Sequence, residues 1–310
     1  MEEIRKSILF VTLFLVTQYF IGSVITPVNT PPLTREFMEA VNSADILYFG
    51  DSTIRTTSPS DTQKEPIFTY LQKSTPRLKV AGLTHDGFDS QIFYEYTKAI
   101  SRNDKKPSVV VFPINLRSFS DTWNYDFANQ KTYLSFMNTS FFPYMTFIEN
   151  FIIPVFPQSY GFKGEAVSYG NYKQQLQNVL KAKKSTYNKE QNERIAAYYL
   201  YALTKKHKNV LALKESIKIL KKSDISVLLY ITPIDYEEGR AHYGKTFDKV
   251  VKTNIQQVKK QLTQKGVIIL DLSYSLPSNA FAWQGIGYIN EHLNSQGRKF
   301  VAEKIADSIK

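Results

Sequence analysis

The 310-residue sequence predicts an α/β protein built on a five-stranded parallel sheet with helices on both faces. Three observations carry that expectation. Short apolar runs without polar alternation recur along the chain, as strands covered on both faces require. Segments with helical spacing separate them. The composition, 43% apolar and 22% charged with 13 Gly and 13 Pro, excludes collagen-like, low-complexity and wholly disordered chains.

The strands are expected at residues 46–49, 78–81, 109–113, 227–232 and 267–270, and helices at 90–101, 212–222, 246–264 and 295–309. In the last helix Val301, Ala302, Ile305 and Ile309 share one face. The third and fourth strands are separated by more than a hundred residues, where a crossover needs only about a dozen or a little more. The excess predicts a lobe inserted at about 119–222 within a domain spanning 31–310. Residues 119–169 hold fifteen aromatic side chains in 51 positions. Residues 171–222 hold thirteen Lys/Arg against three Glu, a net +10 beside the whole chain's 39 − 28 = +11. The aromatics fit either a core for the lobe or platforms for sugar rings or lipid. The lysines fit either a solvated helix surface or a surface for an anionic glycan or lipid headgroups.

Residues 8–25 form an almost unbroken apolar run of eighteen residues, about 27 Å as a helix and just long enough for a bilayer core. Arg5 and Lys6 precede it, which favours an inside N-terminus and an extracytoplasmic body. Gly22-Ser23 is small but no A-x-A pattern follows, so an uncleaved anchor is favoured over a cleaved signal. Pro27, Pro31 and Pro32 then mark a linker.

The chain has no cysteine, which excludes disulfides, thiolate metal sites and cysteine nucleophiles. Its four histidines are His85, His207, His242 and His292. The sharpest local signal is Gly50-Asp51-Ser52 after a buried strand, which places Ser52 at the carboxyl end of the sheet, where open α/β sheets bind ligands. It is not a G-x-S-x-G elbow, because Ile54 stands at the second glycine position. A serine nucleophile needs a base. His292 lies just before the last helix, with Asn294 or Ser295 as cap. In a sheet ordered 2-1-3-4-5 that loop returns over the first strand. His207 sits among Lys205, Lys206 and Lys208 and reads as surface, whereas His85 and His242 fall on loops able to line the site.

Four blocks in this order resemble the SGNH, or GDSL-type, hydrolase superfamily, whose fold is flavodoxin-like. They are Gly50-Asp51-Ser52, Gly87 after the second strand, Asn115 after the third, and His292-Leu293-Asn294 with Gly297. The similarity covers about residues 45–310 apart from the insertion. It implies Ser52 as nucleophile and His292 as base. It implies an oxyanion hole from the backbone N–H groups of Ser52 and Gly87 and the side-chain amide of Asn115. Two positions depart from the pattern: Pro113 replaces a glycine, and Ile289 stands where the family carries an Asp three residues before the histidine. Glu291, Asp271 or a backbone carbonyl are the candidates to orient the imidazole, and a site that binds without turnover is the remaining alternative.

These readings converge on acyl-ester chemistry, hydrolysis or O-acyl transfer, on an envelope polysaccharide, performed by a membrane-anchored protein. Resemblance to anchored members implies a multispanning membrane acyltransferase as partner. The alternative is a glycan-binding or assembly protein on a degenerate site. No cofactor, metal or nucleic-acid partner is expected.

Overall fold

A computed structural model describes residues 2–25, 32–58, 61–120, 195–282 and 291–309. In chain order the elements are α1 (Glu2–Ile25), α2 (Pro32–Ser43), β1 (Ile46–Gly50), α3 (Ser52–Arg55), α4 (Ile67–Ser74), β2 (Val80–Thr84), α5 (Ser90–Arg102) and β3 (Val109–Ile114). After them come α6 (Lys208–Lys222), β4 (Ser226–Ile231), α7 (Tyr236–Tyr243), α8 (Lys245–Leu262), β5 (Val267–Asp271) and α9 (Ser295–Ile309). Among the described residues, 2–39 fall in one compact unit, and the rest, with the whole sheet, in another.

The sheet is parallel throughout and ordered β2-β1-β3-β4-β5. Its register aligns the carboxyl ends: Gly50 opposes Thr84, Ile114 opposes Ile231, and Ile231 opposes Asp271. The β1 segment is buried at all five positions, whereas β5, at an edge, is partly exposed. Strand β2 starts two residues later than the sequence predicts. Leu78 closes a turn by donating its N–H to Thr75 O at 3.0 Å, and pairing begins at Val80 opposite Ile46.

Period-two alternation divides the core between the two faces. Ile46, Tyr48, Val111, Leu228 and Tyr230 pack in one cluster with Tyr70 and Leu71 of α4 and Val301, Ala302 and Ile305 of α9. Within it the Tyr48 and Tyr230 hydroxyls meet at 2.5 Å, each satisfying the other away from water. Phe49, from the opposite face of β1, packs on Phe93 and Tyr96 of α5 and Phe112 of β3, with ring centroids 5.1–5.8 Å apart. Such pairs add about 0.5–1.5 kcal/mol each beyond the area they bury.

The expected lobe at 119–222 lies largely outside the described residues, including all its aromatics from Trp123 to Tyr169. Its last part is clear. Helix α6 packs on α5 and leads directly into β4, so it is the crossover helix and the excess chain ends before Lys208.

In the first unit α1 is a 24-residue helix with Ile4, Ile8, Leu9, Phe10, Val11, Leu13, Phe14 and Val16 all exposed. Among the described residues, no helix is long and apolar enough to cross a membrane.

Candidate active site

Ser52 opens the four-residue helix α3 at the end of β1, and Asp51 caps it. The carboxylate Oδ1 accepts Thr53 N–H at 2.8 Å and Thr53 Oγ1–H at 2.5 Å. Glycine at position 50 keeps the junction tight, since a Cβ there would lie 2.2 Å from Ile54 Cγ1 and force that buried side chain to shift. The tight junction leaves Ser52 N–H in the first turn, where helices have no internal acceptor. Next to it, His85 N–H donates to Gly50 O at 3.3 Å, and the turn from His85 to Phe88 carries Gly87 at φ 74°. A non-glycine residue is strained there. An ion pair between Arg55 and Asp86 at 3.0 Å ties α3 to the same turn. Ser52 and Gly87 thus follow adjoining strand ends, β1 and β2.

His292 comes from the far end of the chain. Its loop is pinned by an antiparallel bridge between Phe281 and Leu293, with Ala282 N–H donating to His292 O at 2.7 Å and Asn294 N–H to Ala280 O at 2.9 Å. Asn294 is the cap of α9, accepting Gly297 N–H at 3.1 Å. The buried Arg298 fastens the helix start: it pairs with Asp61 at 2.9 Å and donates to the carbonyls of Gln63 and Glu65. The outcome is His292 Nε2 at 3.2 Å from Ser52 Oγ. Burial, and then the Arg117 guanidinium, push the imidazolium pKa down to about 4 against the opposing pull of Asp51 and Asp86. At neutral pH the ring is therefore an unprotonated base in contact with the serine.

Beneath the pair lies a buried polar cluster. Glu291 Oε1 accepts from the Tyr199 hydroxyl, and its Oε2 accepts Asn115 Nδ2–H at 3.1 Å and faces Arg117 Nε at 2.8 Å. The Arg117 contact is an ion pair rather than an aligned hydrogen bond. Arg117 also lies 3.8 Å from Asp51. Burial opposes its charge, but Glu291 and Asp51 outweigh that and raise its pKa. Burial likewise raises the Glu291 pKa, with Arg117, Tyr199 and Asn115 pulling it back.

This cluster revises two expectations. Glu291 was a candidate to orient His292, but both of its oxygens are engaged by Tyr199, Asn115 and Arg117; adjacent side chains on an extended loop point apart. Asp271, the other carboxylate candidate, is held by Lys259 at 3.1 Å and Ser273 at 2.5 Å. Asn115 Nδ2 donates to Asp51 Oδ2 at 3.2 Å as well as to Glu291, which occupies both its hydrogens. Its Oδ1 accepts Arg117 N–H at 3.1 Å, which fixes the amide's orientation. Asn115 therefore borders the site but directs its amide into the protein, toward the two carboxylates.

No family model and no curated protein matches this chain. Similar solved structures include a putative lipolytic protein of the G-D-S-L family from Desulfitobacterium hafniense DCB-2, at 11% identity over 84% of this chain and 97% of that one, with TM-score 0.38. A catalytic mutant of an acetylxylan esterase from Geobacillus stearothermophilus is 13% identical over 87% and 95%, with TM-score 0.42. A carbohydrate esterase family 3 protein from Talaromyces cellulolyticus is 11% identical over 85% and 95%, with TM-score 0.38. These likenesses are remote.

The remaining histidines separate clearly. His207 is not on the surface: it is 1% exposed, stacks on Phe119 at 5.3 Å, and caps α6 by accepting Asn209 N–H at 3.2 Å. Burial and the neighbouring Lys208 push its pKa down to about 4. His242 is buried in α7 at 3.0 Å from Glu238. His85 borders the Gly87 turn, its ring 5.1 Å from that of Phe88. Sequence reasoning missed Arg117 and Tyr199. Arg117 stands two residues beyond Asn115 and was within reach; Tyr199 carried no signal.

Proposed function

We propose that the protein performs serine-dependent acyl-ester chemistry through a Ser52 acyl-enzyme. The observation that carries this reading is the 3.2 Å contact between Ser52 Oγ and the Nε2 of a neutral His292. His292 takes the hydroxyl proton as Ser52 Oγ bonds to the ester carbonyl carbon. The tetrahedral oxyanion then collapses, breaking the bond to the leaving alcohol, which receives the proton from His292. Water or an acceptor hydroxyl attacks the acyl-enzyme with His292 as base again, releasing acid or a new ester. Ser52 and Gly87 supply the backbone donors for the oxyanion. Asn115 contributes only by exchanging a carboxylate for the substrate oxygen.

The proposed substrate is an O-acylated envelope glycan, supported by the aromatic and lysine-rich composition of the sequence between β3 and β4. Attachment to a membrane through α1 is part of the proposal, supported by eight large apolar side chains exposed along that helix. A multispanning acyltransferase would supply the acyl group if transfer is the physiological direction.

A fluorophosphonate probe tests the nucleophile: the intact protein is labelled, and Ser52→Ala and His292→Ala each abolish labelling. Labelling that survives Ser52→Ala sinks the assignment. One observation favours a second reading, glycan binding without turnover: both Asn115 amide hydrogens are committed to carboxylates. A folded protein that binds glycan but is never labelled decides for it.

A further inference from the structure

A cleft of about 570 Å³ opens beside the free edge of the sheet, between α8 and the segment following β5. Lys252, Gln256 and Lys259 line one wall, spaced i, i+4 and i+7 on a single face of α8. Asp271 and Tyr274 line the other, with Arg240 at the margin. Two of the cations are compensated: Arg240 pairs with Asp248 at 2.7 Å and Lys259 with Asp271 at 3.1 Å. Lys252 has no carboxylate partner among the described residues; its ammonium lies 5.3 Å over the Tyr274 ring. Three cations against two carboxylates leave the cleft one negative charge short.

The cleft is also organised before any ligand arrives. Tyr236 and Tyr274 pack at 5.2 Å, and Arg240 lies over both, at 4.7 and 5.7 Å. Side chains held this way lose less freedom on binding. The volume is in the range of small-molecule sites, about 300–1,000 Å³. The Gln256 amide adds a donor and an acceptor suited to sugar hydroxyls. The position fits an extended ligand. Asp271 ends β5 at the same carboxyl edge as Gly50 ends β1, and three strand spacings separate them, about 14 Å.

We propose that this cleft binds the carboxylate of an acidic sugar residue in the same polymer whose ester Ser52 attacks, an inference that rests on the acyl-ester reading above. The proposal gives the enzyme a remote subsite that selects acidic over neutral chains.

The experiment uses the full chain, titrated with a short oligogalacturonate and with an uncharged oligogalactose of equal length. Turnover of p-nitrophenyl acetate is followed in parallel. The wild type should prefer the oligogalacturonate, with affinity falling as salt rises. Lys252→Gln should weaken that binding about tenfold, the loss of one charge-assisted contact, and Lys252→Glu should weaken it further. Both variants should turn over the small ester at the wild-type rate. Equal affinity in wild type and Lys252→Glu, equal binding of the neutral saccharide, or no oligogalacturonate binding overturns the proposal. So does a Lys252-dependent preference for phosphatidylglycerol vesicles, which assigns the cleft to a lipid headgroup. Absent small-ester turnover with oligogalacturonate binding intact sinks the Ser52 reading and leaves the subsite standing.

Discussion

Glu291 Oε2 lies 2.8 Å from Arg117 Nε in an ion pair shut from solvent, one residue before His292. The carboxylate next to the histidine in sequence thus anchors the loop from below. Removing one partner of a buried pair strands the other charge at a cost of about 3–5 kcal/mol. Arg117→Gln should lower unfolding free energy by that order in denaturant melts, and Glu291→Gln by less, because Arg117 keeps Asp51 at 3.8 Å. The Arg117→Gln/Glu291→Gln double variant should lose less than the two singles combined. Additive losses would show that the pair is not a coupled unit.

The pH profile follows from His292. Its folded pKa of about 4 keeps it unprotonated through the neutral range, so kcat/KM on an activated ester should stay on its acid-side plateau down to about pH 5 and fall through pH 4. A half-fall near the ordinary histidine value, about 6.5, would contradict the burial and Arg117 effects assigned to it.

Stability should also be lost in acid, and His207 isolates part of the effect. Its folded pKa, about 4, is depressed, so the unfolded chain binds the extra proton between about pH 6.5 and 4. Stability from this residue is complete above that window and falls as pH drops through it. Asparagine preserves an N-cap but does not titrate. His207→Asn should remain folded at pH 7, and its unfolding free energy should fall less steeply from pH 6.5 to 4 than that of the wild type. Identical slopes would remove His207 from the acid response.

Legibility divides along the range of the interactions. Strand positions were readable because buried parallel strands leave local apolar runs; the sheet order and the meeting of Ser52 with His292, 3.2 Å apart, were legible only through the resemblance of the four short blocks. The α6 helix was readable too, but not its place as crossover, since lysines on its outer face made the whole segment look like part of an insertion. His207 misled for the same reason: three neighbouring lysines point outward while the ring turns in to Phe119 and Asn209. The Glu291 cluster joins residues far apart in sequence: Asn115 and Glu291, in direct contact, are 176 positions apart. Nothing local marks such a meeting.

Gly297 offers a steric test of the His292 loop. A Cβ there lies 2.7 Å from Ala280 O and 3.1 Å from Leu293 Cβ, and Ala280 and Leu293 are part of the segments that pin His292. Backbone cannot swing away as a side-chain tip does. Gly297→Ala should cost about 1–3 kcal/mol by overpacking, and it should lower kcat on a small ester under conditions where the variant is fully folded. Full activity in a destabilised protein would mean that the loop shifts without moving the imidazole.

Tyr199 connects the β3–β4 connection to the loop that carries His292. Its hydroxyl donates to Glu291 Oε1, and its ring packs edge-on against Phe247 at 5.7 Å. Two residues on, Tyr201 donates to Leu116 O at 2.6 Å, and Asn254 Nδ2–H donates to Tyr201 O at 2.8 Å, so this stretch is clamped to the β3 end and to α8. Tyr199→Phe keeps the ring and removes only the hydroxyl. The buried carboxylate then loses a donor at a cost of about 1–3 kcal/mol. Glu291 retains Arg117 and Asn115, so the variant should fold and His292 should keep its low pKa. Its kcat on a small ester should fall because the loop carrying His292 is held less firmly, while the acid limb of kcat/KM should not move. Tyr199→Leu should lose more stability through the ring without a different acid limb. If the limb shifts toward neutral pH in Tyr199→Phe, Glu291 acts on the imidazole electrostatically, and a purely positioning role for this tyrosine is wrong.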